Sequence, residues 1–303
     1  MVVEEMSITV GVDGSVEALT AAHWAAKEAE LRRLPLRVIL AMNEPVAGHS
    51  DYVFPPPVLE AARQVNRTRL DHAASVIRDL HPDLDVRTDL EFTDPRRALV
   101  DASARTALTV IGSRGRGRLV EVLVGAVALH VIAHAHSPVA VVPATDLSGN
   151  GLHRPVLLGV DGGASGAAAM GYAFEEASLR GSRLLAVLVL DDTEPWPADE
   201  GRPPRRTDLD GALTLLAGQL APWQEKYPQV PVEQVVRRGR PAPALLECLR
   251  RGPDADRPGL AVVGSRGHSG LGGLLLGSTS QHLIARSPVP VVVVRPEGRE
   301  RSW

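Results

Sequence analysis

The chain has 303 residues, a formal net charge of −3 and one cysteine, Cys248. This length suggests about two domains, and the slightly acidic charge balance gives no electrostatic basis for binding nucleic acid or an acidic membrane. A single cysteine excludes an intrachain disulfide and fits a reducing, cytoplasmic environment, and no apolar run reaches the roughly 20 residues that cross a bilayer.

The first half of the chain alternates short apolar runs with helical patterns. Residues 8–12 form a predicted strand that ends in Asp13-Gly14-Ser15, and residues 16–33 carry apolar side chains at helical spacing. A Pro-rich loop is predicted at 43–57. The other predicted elements of this half are strands at 36–41, 84–92, 107–111 and 139–142, and helices at 58–80, 95–105 and 125–134.

The second half repeats this order of elements. Another Pro-rich loop is predicted at 191–206. The predicted elements are strands at 156–160, 184–190, 230–236, 260–263 and 291–294, and helices at 165–180, 207–226, 241–251 and 281–285.

Equivalent residues of the two halves keep constant offsets that change only in predicted loops. The offset is 148 residues for the Asp13/Asp161 pair, 146 for Pro82/Pro228, and 152 for Gly112/Gly264, Gly125/Gly277 and Pro138/Pro290. Such blocks indicate a duplicated domain. We predict domains at 1–145 and 155–296, joined by a linker at 146–154 and followed by a tail at 297–303.

The predicted strands are continuous apolar runs, which are typical of a parallel sheet buried on both faces in a doubly wound α/β domain. Ligands of such sheets bind at the carboxyl ends of strands, where the strand order reverses. The Asp13 turn and the loop that starts at Gly112 are therefore expected to face one crevice.

A glycine-rich stretch follows the fourth strand of each half. Residues 264–280 read Gly-Ser-Arg-Gly-His-Ser-Gly-Leu-Gly-Gly-Leu-Leu-Leu-Gly-Ser-Thr-Ser, and their equivalent in the first half is 112–128. Glycines allow close approach of the backbone to a ligand, and the unpaired N–H groups of a helix start attract anions. The order of strand, glycine loop and helix start predicts a phosphate site.

These motifs resemble the ATP-binding class of universal stress proteins. The resemblance rests on Val-Gly-Val-Asp after the first strand, on Val-Gly-Ser-Arg-Gly, and on the spacing Gly-x2-Gly-x9-Gly-Ser, and it covers nearly all of both halves. It implies two tandem domains, each a five-stranded parallel sheet of order 3-2-1-4-5 with helices on both faces. It also implies that ATP, with or without Mg²⁺, is held without a P-loop.

Carried onto the second half, the resemblance assigns the phosphates to the glycine loop and the helix start. Asp161 would lie beside the adenosine, Gly159 would leave room for it, and the backbone of Val189 would face adenine, with Asp192 on the same rim. Ser280 could add a second hydroxyl. Gly264, Gly267, Gly277 and Ser278 would hold the phosphates, with Thr279 beside them. The other candidate cofactor-binding residues of this stretch are Ser265, Arg266, His268, Ser269, Gly270 and Ser280.

The first half matches the pattern less completely. Ala126 stands where the second half has Ser278, and Ala128 where it has Ser280, so two hydroxyl donors are missing. We expect weaker phosphate binding there, which the loop arginines could offset. The candidate residues of this half are Gly11, Asp13, Ala41, Gly112, Ser113, Arg114, Gly115, Arg116, Gly117, Arg118, Gly125, Ala126 and Val127.

Several alternatives remain open at this stage. The glycine loops could be structural turns, and Asp13 and Asp161 could cap the helices that follow them. His130 and His134 are spaced i, i+4, but packing is a better explanation for them than a metal site. The sequence assigns no catalytic residue and no metal ligand.

The leading functional hypothesis is an ATP-binding regulatory protein of a stress response, with the nucleotide acting as a state-selecting ligand. A slow ATPase or phosphotransferase is the alternative. A dinucleotide-binding enzyme is disfavoured, because its glycine fingerprint belongs after the first strand. The apolar edges at 139–142 and 291–294 suggest an intrachain pseudo-dimer or a homodimer, and the protein partner is not indicated.

Overall fold

A computed structural model of the chain describes residues 6–43, 56–113, 124–144, 153–161, 164–190, 209–253, 256–265 and 276–296. The chain divides into two compact units, Met1–Leu147 and Ser148–Trp303. In the portions covered by these ranges, no helix is both long enough and apolar enough to cross a membrane.

The first unit is a parallel sheet with the strand order β3-β2-β1-β4-β5. α1 and α2 pack on one face, where α1 contacts β1 and β4, while α3 and α4 pack against each other. The elements are β1 (Ser7–Gly11), α1 (Val16–Arg32), β2 (Leu36–Ala41), α2 (Pro56–Leu80), β3 (Val86–Glu91), α3 (Pro95–Ser103), β4 (Thr106–Gly112), α4 (Ala126–His134) and β5 (Val139–Val142).

The second unit repeats this topology with the order β10-β9-β6-β7-β8. The predicted doubly wound fold, with the order 3-2-1-4-5 in each half, is therefore confirmed. The elements are β6 (Val156–Val160), α5 (Ala164–Arg180), β7 (Leu184–Leu190), α6 (Leu209–Lys226), β8 (Val232–Arg238), α7 (Pro241–Arg250), β9 (Leu260–Gly264), α8 (Ser278–Arg286) and β10 (Val291–Val294).

Most element boundaries lie within two residues of the prediction, and the differences have local causes. The strand predicted at 230–236 occupies Val232–Arg238 instead. Pro231 has no N–H to donate to a ladder, although its carbonyl accepts from Leu184 N–H at 2.8 Å. α2 begins at Pro56, inside the predicted loop, because proline suits the first turn of a helix.

The central strands carry the core of each unit. Ile8, Val10, Leu157 and Leu158 are fully buried, whereas the outermost strands β3 and β8 are only partly covered. This gradient explains why the inner strands read as continuous apolar runs and the outer strands read as mixed sequences.

Each unit also buries one ion pair on its first helix. Glu28 pairs with Arg32 on α1, and Glu176 pairs with Arg180 on α5, where the Oε2 to Nη2 distance is 3.0 Å. The two pairs are related by the same 148-residue offset as the aspartates, and both glutamates are at most 1% exposed. Buried charges require such partners, so the pair belongs to the duplicated framework.

Candidate functional site

In each unit, the strand order reverses between the first and the fourth strand. β1 lies beside β4, with Val10 paired to Val110, and β6 lies beside β9, with Leu158 paired to Val262. The connections from these strands lead to opposite sides of the sheet, which opens a crevice at their carboxyl ends. The turn after the first strand and the loop after the fourth strand therefore border the same crevice.

The aspartates after the first strands stand at the starts of the following helices. Asp13 Oδ1 accepts hydrogen bonds from the N–H of Ser15 at 2.9 Å and from its hydroxyl at 2.6 Å. Ser15 Oγ in turn accepts from Ala18 N–H and caps α1. Asp161 Oδ1 lies 3.0 Å from the position that a Cβ on Gly166 would occupy in α5. In the first unit, the carboxylate therefore supports the helix cap.

The ends of both glycine loops are held by the same pair of backbone hydrogen bonds. Ser113 N–H donates to Val142 O at 2.9 Å, and Gly125 N–H donates to Ser113 O at 3.2 Å. In the second unit, the N–H groups of Ser265 and Gly277 make the equivalent bonds, at 2.9 and 2.8 Å. The described ends of the two loops are therefore held in the same way by backbone hydrogen bonds.

The helices that follow these loops begin in an arrangement suited to anions. Gly125 and Gly277 are extended N-caps, and neither helix start has a side-chain cap hydrogen bond. The first backbone bonds within the helices run from Leu129 to Gly125 and from Gln281 to Gly277. The N–H groups of the three residues before each donor therefore face out of the helix end, where the dipole is positive.

The side chains of this first turn differ between the units. In the second unit Ser278 is exposed, Thr279 is half-buried and Ser280 is 3% exposed. Ser280 Oγ donates to the carbonyl of Gly264 at 2.7 Å, so its single proton is already used. The predicted role of the Ser280 hydroxyl as a phosphate donor is therefore corrected: this hydroxyl fastens the start of α8 to the end of β9.

The first unit has no hydroxyl at any of these three positions. Ala126 is exposed, Val127 is half-buried and Ala128 is 4% exposed, so the burial pattern matches the second unit position by position. The backbone of the helix start is thus retained, while the exposed donor and the buried fastening bond are both missing.

Gly11 and Gly159 are glycines because helices pack on them. A Cβ on Gly11 would lie 2.9 Å from Leu99 Cδ1 of α3, and one on Gly159 would lie 3.1 Å from both Leu245 Cδ1 and Val263 Cγ1. A leucine of α7 therefore fills the space where a side chain of residue 159 would lie, and the position of Gly159 beside a nucleoside stays a prediction.

Ala41 and Val189 direct backbone groups towards the crevice. Within β7, the N–H of Leu184 and the carbonyl of Leu190 bond towards β8, so the odd-numbered residues face β6. β6 pairs as far as Val160 opposite Leu188, so the N–H of Val189 faces the carbonyl of Val160, and the carbonyl of Val189 lies beyond the end of β6. The same alternation in β2 directs the backbone of Ala41 past the end of β1.

The remaining predicted site residues lie outside the ranges that the structure describes. These residues are Arg114, Gly115, Arg116, Gly117, Arg118, Asp192, Arg266, Gly267, His268, Ser269 and Gly270.

Two residues of α2 border the first crevice and were missed by the sequence analysis. Arg69 Cδ lies 3.2 Å from the position that a Cβ on Gly14 would occupy, so its stem lies against the turn after β1. Asn66 Nδ2 lies 3.0 Å from the sulfur of Met42, which directly follows β2. The only sequence signal was their position on the exposed side of a long amphipathic helix, which by itself indicates solvent.

The starts of α3 and α7, at the same edge of their sheets, carry opposite charges. Asp94 caps α3 by accepting from Arg96 N–H at 2.8 Å, and its side-chain hydrogen bond with Arg96 lowers the pKa of the carboxyl to about 2. At the 146-residue offset, Arg240 is the N-cap of α7 and makes no side-chain cap bond.

His130 and His134 of α4 stack on each other, and Cys248 of α7 is half-buried. His130 and His134 stack with ring centroids 4.2 Å apart, and the pKa of His130 is lowered by burial and then by His134 and Arg96. No cluster of three potential metal-ligating side chains occurs in the described parts of the chain. Burial raises the pKa of the half-buried Cys248 thiol, which disfavours the thiolate.

Comparison with known proteins agrees with the duplicated fold. The sequence model described as "Universal stress protein family" matches residues 6–143 and again residues 153–295. A universal stress protein of Mycolicibacterium smegmatis is 36% identical over 295 residues, which cover 96% of this chain and 98% of that protein. Universal stress protein Rv2623 of Mycobacterium tuberculosis is 35% identical over 301 residues, which cover 96% of each chain. The crystal structure of a universal stress protein from Archaeoglobus fulgidus covers 95% of this chain and 98% of its own, with a TM-score of 0.70 at 20% identity.

Proposed function

This chain belongs to the universal stress protein family, and we propose that it binds ATP in the crevice of each unit and uses the nucleotide as a state-selecting ligand. The observation that carries the proposal is the repeated helix start at Gly125 and Gly277. There, a glycine N-cap without a side-chain bond leaves the first-turn N–H groups directed out of the helix end. Phosphate is the ligand that such a helix start favours.

The second crevice has the more complete set of phosphate donors. The exposed hydroxyl of Ser278 and the half-buried hydroxyl of Thr279 stand beside the N–H groups of the same turn. Hydrogen bonds to a charged acceptor contribute about 1.5–3 kcal/mol each, so one additional donor gives a substantial gain in affinity. We therefore assign the tighter site to the second unit.

The opposite end of each crevice offers a backbone edge to the base. The carbonyl of Val189 extends past the end of β6, and the N–H and carbonyl of Ala41 extend past the end of β1. A backbone carbonyl can accept from the exocyclic amino group of adenine, and an adjacent N–H, as at Ala41, can also donate to a ring nitrogen. Asp161 and Asp13 lie between this edge and the phosphate end, where a carboxylate can accept from ribose hydroxyls.

A regulatory role follows from the residues that surround the phosphate end. The sequence has no Gly-x4-Gly-Lys-Ser/Thr motif, so no lysine of that kind is set on the β- and γ-phosphates. Among the described residues, the hydroxyls of Ser278, Thr279 and Ser113 have no histidine or carboxylate partner, and the ring of His282 bonds instead to the backbone carbonyl of Ser278 at 2.8 Å. ATP would then shift the protein between states by binding one of them more tightly.

The proposal is tested on the purified full-length chain. Bound nucleotide is released by denaturation and quantified, and ATP binding is then measured by calorimetry with Mg²⁺ and with EDTA. We expect ATP binding that is weakened by Ser278→Ala and unchanged by Thr214→Ala, a control on the exposed face of α6. Recovery of no nucleotide together with no ATP binding in either buffer would contradict the proposal.

The same samples distinguish a regulator from an enzyme. Phosphate release is followed for the wild-type chain and for Asp161→Ala, which removes the carboxylate beside the second crevice. A regulatory site predicts bound ATP that is recovered intact. Steady turnover that disappears in the Asp161→Ala variant would assign the chain to the slow ATPases instead.

A further inference from the structure

The side chain of Arg69 lies over the turn that follows β1. Gly14 in this turn has φ +82°, a conformation that side chains rarely adopt, and Arg69 Cδ lies 3.2 Å from where its Cβ would be. Asp13 and the helix cap Ser15 flank this glycine. An arginine of α2 thus reaches a turn that borders the first crevice.

The part of α2 that carries this arginine stands beyond the sheet. The buried residues of α2 are Leu70, Ala73, Ala74 and Ile77, so packing on the sheet begins only after Arg69. A helix of 25 residues is about 37 Å long, whereas a strand of six residues spans about 20 Å. The N-terminal half of α2 therefore extends past the carboxyl ends of the strands, alongside the crevice.

The guanidinium of Arg69 bonds to a neutral side chain. Arg69 is half-buried, and its guanidinium Nη1 donates to the neutral Oδ1 of Asn66 at 3.1 Å. Among the described residues, no acidic side chain forms an ion pair with it, whereas Arg87 pairs with Asp85 at 2.6 Å and Arg96 pairs with Asp94. A partly desolvated guanidinium that donates to a neutral amide retains donors for an anion.

The second unit has no arginine at the position equivalent to Arg69. Leu70 and Leu216 are both fully buried, and they fix the register of α2 against α6 at the 146-residue offset. At that offset, Leu215 stands in place of Arg69 and Ala212 in place of Asn66. The two units therefore differ reciprocally: one has Arg69 with Ala126, and the other has Leu215 with Ser278.

We propose that Arg69 is an anion-binding residue of the first crevice and contributes to holding the phosphate groups of its nucleotide. This inference rests on the proposed function and assigns the first unit a different source of phosphate affinity. A guanidinium pairs with two phosphate oxygens at once, and Asn66 holds it in place over the turn. The first site therefore depends more on ligand charge and on salt than the second site does.

The test uses the full chain with Asp161→Ala, so that binding at the second crevice is weakened. Calorimetry with ATP and with adenosine is performed on this background and on the same background with Arg69→Leu, the residue that the second unit carries. We expect the ATP dissociation constant to rise about 10- to 100-fold and that of adenosine to change less than about twofold. Arg67→Leu, an exposed neighbour on α2, is the matched control and should leave both constants unchanged.

Leu215→Arg provides a second test that does not depend on removing a packed side chain. Placed in an otherwise unchanged chain, it should tighten ATP binding at the second crevice and increase its salt dependence. Equal weakening of ATP and adenosine by Arg69→Leu would assign Arg69 a packing role and overturn the inference. An unchanged ATP affinity would also overturn it.

Failure of the inference is distinguishable from failure of the proposed function. A wild-type chain that binds ATP, with no binding left in the Asp161→Ala background, would leave the function in place and remove the first crevice as a site. A wild-type chain that binds no ATP would contradict the function itself, and the inference with it.

Discussion

The two helix starts at Gly125 and Gly277 have the same backbone and different side chains. Each follows a loop whose ends are joined by the same two backbone hydrogen bonds. In each, the three residues after the glycine are exposed, half-buried and buried, in that order. Only the second has hydroxyls at these positions, with Ser278 in place of Ala126. The comparison teaches that the anion-binding geometry is a property of the fold, whereas the strength of binding depends on a few side chains.

The buried ion pairs belong to the shared framework, and breaking them should give the largest effect. Glu176→Ala would leave Arg180, whose side chain is 3% exposed, without its carboxylate. The expected loss is about 3–5 kcal/mol of unfolding free energy, and Glu28→Ala should destabilise the first unit similarly. Denaturant unfolding, with hydrogen exchange followed in each unit, measures both losses. A loss below about 1 kcal/mol in either unit would show that the two ion pairs do not contribute equally to the stability of their units.

Removing the hydrogen bond from Ser280 to the end of β9 should have an intermediate effect on stability. Ser280→Ala removes the donor to Gly264 O and is expected to reduce the stability of the second unit by about 0.5–1.5 kcal/mol. Ala128→Ser introduces the hydroxyl at the equivalent buried position of the first unit, where the carbonyl of Gly112 is the expected acceptor. Hydrogen exchange of the α4 and α8 amides reports both changes. An unaltered exchange rate in α8 after Ser280→Ala would contradict the fastening role.

Substitutions at the N-caps of α3 and α7 should have the smallest effect on the free energy of unfolding. Asp94→Ala removes a side-chain cap at an exposed position and is expected to destabilise the first unit by about 0.5 kcal/mol, whereas Arg240→Asp adds a cap to α7. The pKa of Asp94 is lowered to about 2, so its contribution is present above the ordinary aspartate pKa and is lost as the pH falls through about 2. Thermal unfolding of wild type and variant at pH 7 and pH 2 measures this. A difference that is as large at pH 2 as at pH 7 would exclude the carboxylate as the cause.

The fold followed from the sequence because two independent patterns agreed. Continuous apolar runs identified the inner strands, and the constant offsets required that both halves have one topology. The limits of β8 did not follow, because Val230 continues the apolar pattern while Pro231 delays the start of the ladder. Periodicity records which residues are apolar and does not record which N–H groups have a partner.

The site followed from the sequence only in part. Glycine spacing located the loops, but spacing alone could not distinguish a glycine that accommodates a ligand from one that accommodates a helix, as Gly159 does for Leu245. The direction of the Ser280 hydroxyl depends on a carbonyl 16 residues away. Arg69 reaches the crevice from a helix that begins far from the motifs, and only the tertiary structure brings it to Gly14.

The proposed difference in ATP affinity between the two crevices is tested most directly by ATP calorimetry on the wild type, Ser278→Ala and Ala126→Ser. We predict two sites per chain in the wild type, with Ser278→Ala weakening the tighter site roughly 10-fold or more and Ala126→Ser strengthening the weaker one. Two sites of equal affinity that neither substitution changes would contradict the difference between the units.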